Sequence, residues 1–149
     1  MTSSPASAPW TPAQRFALGF GAVYLLVGIA GFAVTGIHPF SGMQHHTLLV
    51  FAVNPLHNVV HVVLGVAWLA GAARARAARA VNLALGGVLG LVTVLGFVGV
   101  MGMLGMSGLA DPDNFLHLAT ATLALYFGSA AAEPTRAVDP AGEREPVAG

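Results

Sequence analysis

Three histidines, His57, His61 and His117, stand inside apolar stretches of this chain. An ionisable side chain in such surroundings is costly and is a functional candidate by default. Their spacing groups them with amides. Asn54, His57, Asn58, His61 and Gly65 follow one i, i+3/i+4 stripe, and Asn114, His117, Thr120 and Ala121 follow a second. Counted from helix starts at Asn54 and Asp111, His61 lies about 10 Å and His117 about 9 Å along the axis, effectively one level.

Several chemistries fit these residues. A neutral imidazole has one donor and one acceptor and an asparagine amide has both, so the set could be a polar clamp between helices. In lipid such bonds contribute about 0.6–2 kcal/mol each. Alternatively His61 and His117, facing each other, could ligate haem iron axially or hold copper. Copper draws support from His38, His45, His46, Met43, Met101, Met103 and Met106, which fall on the same side as the three core histidines. Methionine also fills irregular gaps, and Met101-Gly102-Met103-Leu104-Gly105-Met106 at a glycine-rich helix end suits that role. A proton pathway or small transporter is a third option. It is weakened because Asp111, Asp113 and Glu133 stand at helix ends, Asp111 reading as a cap and Asp113 as an acid favouring an N-terminus. No Ser-His-Asp spacing, phosphate loop or HExxH motif occurs, so no enzyme is expected. The absence of cysteine excludes disulfides and thiolate sites, and zero net charge leaves no basic face for nucleic acid.

The elements that must position these residues are four apolar stretches, roughly 12–35, 55–73, 79–104 and 112–132. Of 149 residues, 56% are hydrophobic and 8% charged, with a mean hydropathy of +0.75. A soluble domain carries about 25% charge. The expected fold is therefore all-α: a polytopic membrane protein with four transmembrane helices in an antiparallel bundle over 11–133. Tails at 1–10 and 134–149 read as disordered. Thr11-Pro12-Ala13-Gln14 forms a capping box, and Asn54-Pro55 and Asp111-Pro112 open two further helices. Small-residue faces, Gly21, Gly28 and Gly31 on the first helix and Gly86, Gly90, Gly96, Gly99 and Gly102 on the third, predict direct packing of those two helices. The apolar run 47–53 is too short to span and should lie on the outer surface or fold back over the bundle mouth. Asn58-Val59-Val60-His61 matches Asn114-Phe115-Leu116-His117, a weak repeat suggesting two helical hairpins related as parallel repeats.

All cationic residues are arginines: Arg15 by the first stretch, Arg74, Arg76 and Arg79 between the second and third, Arg136 and Arg144 after the fourth. The connections 36–54 and 105–111 contain none. Basic loops stay cytoplasmic, so both termini are expected inside. Arginine without lysine, amid abundant alanine and glycine, suggests a GC-rich bacterial genome and hence a bacterial inner membrane. The first stretch lacks a clean A-x-A site and should be retained as a span. The expected role is a non-enzymatic membrane module, with the lipid bilayer, a second copy or another membrane protein as partner. The alternative is a haem- or copper-binding protein using His61 and His117.

The string Phe51-Ala52-Val53-Asn54-Pro55-Leu56-His57-Asn58-Val59-Val60-His61 resembles a bacterial family, domain of unknown function 4383. Thr11-Pro12-Ala13-Gln14, the arginine-rich turn and Asp113-Asn114-Phe115-Leu116-His117 are similar to it too, so the resemblance covers about residues 11–132. It implies a small four-helix membrane protein and no particular activity. His45, His46 and the methionines fall outside its motif, which favours a core role for His57, His61 and His117 over the copper reading.

Overall fold

The computed structural model describes residues 9–38, 40, 46–106 and 108–130. Most of the expected N-terminal tail, all of 134–149, and Met43 and His45 lie outside the described residues. Helices α1 (Pro12–Thr35), α2 (Pro55–Ala72), α3 (Ala75–Phe97) and α4 (Pro112–Ser129) are joined by strands β1 (His46–Leu48) and β2 (Phe51–Val53) and a 3-10 turn, Gly102–Leu104. Local chemistry sets the helix starts. Thr11 Oγ1 accepts from Gln14 N at 3.3 Å while Thr11 N donates to Gln14 Oε1 at 3.1 Å, a reciprocal capping box. Asn54 Oδ1 accepts from His57 N at 2.9 Å, and Asp111 Oδ1 accepts from Asp113 N at 3.0 Å. Proline follows each cap, where its missing N–H costs nothing.

The third helix departs from its expected bounds of 79–104. It begins four residues earlier, because arginine and alanine are strong helix formers and the turn from α2 is tight. It stops at Phe97, since Gly99 adopts φ +77°, a left-handed conformation open to glycine. Gly99 thus ends the helix, and Gly102 opens the 3-10 turn; neither belongs to a helical packing face.

The expected contact of α1 with α3 through glycine is also overturned. Each glycine face receives side chains of the next helix instead. Gly21 faces Leu69 and Trp68, Gly28 faces Val62, and Gly86 faces Leu125 and Ala124. These partners descend in number as the glycines ascend, so each pair of neighbours runs in opposite directions. Gly90 looks onto open space. Where α1 and α3 do meet, the link is polar: Asn82 Nδ2 donates to the Ala13 carbonyl at 3.1 Å.

The four-residue repeat extends much further in the structure. Adding 65 to Ala13, Ala17, Gly21, Tyr24, Gly28 and Gly31 gives Ala78, Asn82, Gly86, Leu89, Thr93 and Gly96, and all twelve are buried. Adding 56 to His57, Asn58, His61, Leu64, Gly65, Trp68 and Ala72 gives Asp113, Asn114, His117, Thr120, Ala121, Ala124 and Gly128, again all buried. Bonds repeat as well. Gln14 Nε2 donates to the Ala72 carbonyl at 3.0 Å, and its counterpart Arg79 Nε donates to the Gly128 carbonyl at 3.2 Å. Both helix pairs are built on one plan.

The outward faces are apolar: Leu26 is 65% and Leu91 60% exposed in mid-helix. A helix facing water would be polar there. By length and composition α1, α2 and α3 are each able to cross a membrane. In α4, Asp113, Asn114 and His117 in the first two turns lower the apolarity below that level. The run 47–53 forms an antiparallel hairpin, pairing His46 with Val53 and turning at Leu49 (φ +59°). It folds back over the helix ends, where Val53 is buried.

Candidate functional site

The core has two layers. At the arginine end, Phe16 stacks on Phe20 (4.3 Å between centroids) and on Phe127 (5.1 Å), and Tyr24 meets Trp68 edge-on at 5.0 Å. At the hairpin end the interior turns polar, with the Tyr24 ring as the boundary, 4.9 Å from His61.

Of the asparagines in the polar layer, Asn58 joins two helices, whereas Asn54 and Asn114 bond carbonyls of the segment between α3 and α4. Asn58 Nδ2 donates to Thr35 Oγ1 of α1 at 2.9 Å, and Asn54 Nδ2 to the Met103 carbonyl at 2.9 Å. Asn114 Nδ2 donates to the Gly108 carbonyl at 2.7 Å. Asn58 lies on Gly31 and its counterpart Asn114 lies on Gly96, each so close that no Cβ fits between. Glycine at these two positions is therefore a requirement of the amides.

The histidines are arranged differently. His57 and His61 come together along one face of α2, Nε2 to Nε2 at 3.1 Å. His117 of α4 faces both, its ring centroid 6.0 Å from each. One nitrogen from each of the three lies within 4.8 Å of the others, and all three residues are buried. The sequence pairs His61 with His117; the structure adds His57 on equal terms. Its signal was the four-residue step from His57 to His61, which stacks two rings on one helix face. His117 Nδ1 is buried without a hydrogen-bond partner, whereas a complete clamp would satisfy it.

Asp113 is the residue whose role was missed. It is 1% exposed, and its Oδ2 has no hydrogen-bond partner. It stands four residues before His117, as His57 stands four before His61. With His61, Val27, Leu116 and the hairpin residues Leu48, Phe51 and Val53 it lines an enclosed cavity of about 70 Å³. A water or two would fit there. A cofactor-sized pocket measures about 300–1,000 Å³, well above this cavity.

The copper collection does not assemble either. His38 and His46 are exposed, Met103 is exposed, and the methyl of buried Met106 lies by Gly96.

Apolar outward faces around a buried layer of histidine and asparagine define a helical protein suited to a membrane, with a polar site near one end. The chain belongs to the family described as domain of unknown function (DUF4383), which it matches over residues 14–130. No curated protein and no solved structure matches it.

Proposed function

We propose that the chain is a four-span protein of a bacterial inner membrane. Its two repeated helix pairs form an antiparallel bundle with both termini cytoplasmic, and it acts as a non-enzymatic module that binds a small ligand in its polar layer. One observation carries the threading. Arg15, Arg74, Arg76 and Arg79 belong to the end where Gln14 bonds Ala72 and Arg79 bonds Gly128, while the histidines, the hairpin and the 3-10 turn occupy the other. A basic end, an apolar girdle and an end without basic residues suit a cytoplasmic face, the hydrocarbon core and an outer face. The helices rise about 27–36 Å along their axes against a core of about 30 Å, so α4 is long enough despite its polar first turns. Those turns are tolerable because they face the other helices rather than lipid. The unsatisfied histidine and aspartate atoms support a binding role over a purely structural one.

The threading is tested by reporter fusions. Cytoplasmic reporters should be active after Ala75 and after Ala141, and a periplasmic reporter after Gly42. The inverted pattern would overturn the orientation, and Ala141 on the opposite side from Ala75 would remove the fourth span.

A further inference from the structure

We propose that His57, His61, His117 and Asp113 together hold one divalent transition-metal ion of the zinc and copper(II) class, enclosed beneath the β-hairpin. This rests on the polar layer being a binding site, and it names the ligand.

Donor geometry is the first support. Tetrahedral donors about 2.0–2.1 Å from a zinc ion stand ~3.4 Å apart. The His57 and His61 Nε2 atoms are already 3.1 Å apart, and His117 offers a nitrogen within 4.8 Å of both. His57 Nδ1, the nitrogen not turned towards His61, is buried without a hydrogen-bond partner.

The repeat supplies the fourth corner. His57 and Asp113 occupy the same position of the two helix pairs, as do His61 and His117. A plan that brings His57 and His61 to the interface from one side brings Asp113 and His117 from the other. Three histidines alone would leave one position of a tetrahedral ion open. Asp113 lines the same cavity as His61, but its carboxylate lies outside the group of three nitrogens within 4.8 Å of one another, so it would turn towards the ion to fill that corner.

Charge is the second support. A carboxylate buried at 1% exposure with an unpartnered oxygen is very unfavourable in an apolar interior. In the same polar layer, three imidazoles present lone pairs rather than fixed positive charge. A bound dication resolves both, since it neutralises the carboxylate and takes the lone pairs. Three nitrogens and one oxygen select a borderline divalent ion over copper(I).

The test uses full-length protein in detergent, its affinity tag removed, stripped with chelator and titrated with cobalt(II). The wild type should take up one equivalent, developing the intense visible bands of a tetrahedral ion, and zinc should displace it. H61N and H117N should each weaken cobalt binding by about 100-fold or more, since even an outer partner of a ligand is worth up to that. D113N should weaken it by about 10-fold or more and alter the bands. Circular dichroism and size-exclusion profiles show which variants remain folded. Folded wild type without the cobalt spectrum overturns the ion, as does a folded H57N/H61N/H117N variant that binds like the wild type. D113N indistinguishable from wild type removes the fourth corner. Metal-free protein with the expected fusion pattern would remove the ion and leave the threading intact; an inverted pattern would remove the threading whatever the cobalt spectrum shows.

Discussion

The first helix pair, α1 with α2, and the second, α3 with α4, bury equivalent positions but fill them differently. Gly21, Gly31, Asn58 and Leu69 recur as Gly86, Gly96, Asn114 and Leu125, residue for residue and contact for contact. Gln14 recurs as Arg79, a different donor reaching an equivalent carbonyl. Tyr24 and Trp68 recur as Leu89 and Ala124, so the first pair supplies the bulk and the second makes space for it. His57 recurs as Asp113. Glycine is kept at 21 and 86, and at 31 and 96 where an amide lies against it, whereas Gly28 and Gly65, which backbone atoms approach, recur as Thr93 and Ala121. His57 and Asp113 differ inside this shared plan.

The largest break in the shared plan should come from its glycines. A Cβ on Gly31 or on Gly96 runs into the amide of Asn58 or Asn114. We expect Gly31→Ala and Gly96→Ala each to destabilise the protein by about 1–3 kcal/mol, the usual cost of overpacking. Gly87→Ala and Gly90→Ala add a methyl to open space and should be neutral or stabilising, by up to ~1 kcal/mol. Thermal unfolding in detergent reads all four. Similar losses at Gly31 and Gly90 would show that the close approach is unimportant.

The asparagines should come next. Asn58→Ala removes the bond to Thr35 and Asn114→Ala the bond to Gly108. Each should cost about 1 kcal/mol, the measured scale for such bonds in lipid, and the two should agree within ~0.5 kcal/mol. A large loss at one and none at the other would mean that the two amides, which lie on equivalent glycines but bond non-equivalent partners, do not contribute alike.

Much of this was legible in the sequence, and the failures have physical causes. The caps at Thr11, Asn54 and Asp111 were readable because capping is decided within four residues. The histidine and asparagine stripes were readable from helical spacing. The end of α3 was not, because glycine serves equally in a packed membrane helix and in the turn that ends one; only the backbone angle at Gly99 distinguishes them. The partners of the glycine faces were hidden for a related reason. A groove of small residues shows that something approaches closely, and leaves open whether it is another groove or a row of leucines and asparagines. The hairpin over 46–53 was masked by shortness. Asp113 was set aside because its place in the first turn of a helix already explained an acid there, and only its burial beside His61 demanded more.

The smallest effect should come from exchanging the two residues that differ. H57D alone places two carboxylates in one buried layer, and like charges this close destabilise the metal-free protein. D113H alone removes the carboxylate and its compensation for the ion. The double variant H57D/D113H restores three imidazoles and one carboxylate, merely moving the carboxylate from the second helix pair to the first. If the pairs share one plan, the double variant should recover most of the stability lost by H57D and bind cobalt within about 10-fold of wild type, a difference of ~1.4 kcal/mol. The effects of the two single changes would then be strongly non-additive, as expected of residues in one cluster. Losses that simply add, in melting temperature and in cobalt affinity, would show that His57 and Asp113 occupy unrelated environments. The repeat would then describe backbone packing alone, and Asp113 would return to being a helix-terminal acid.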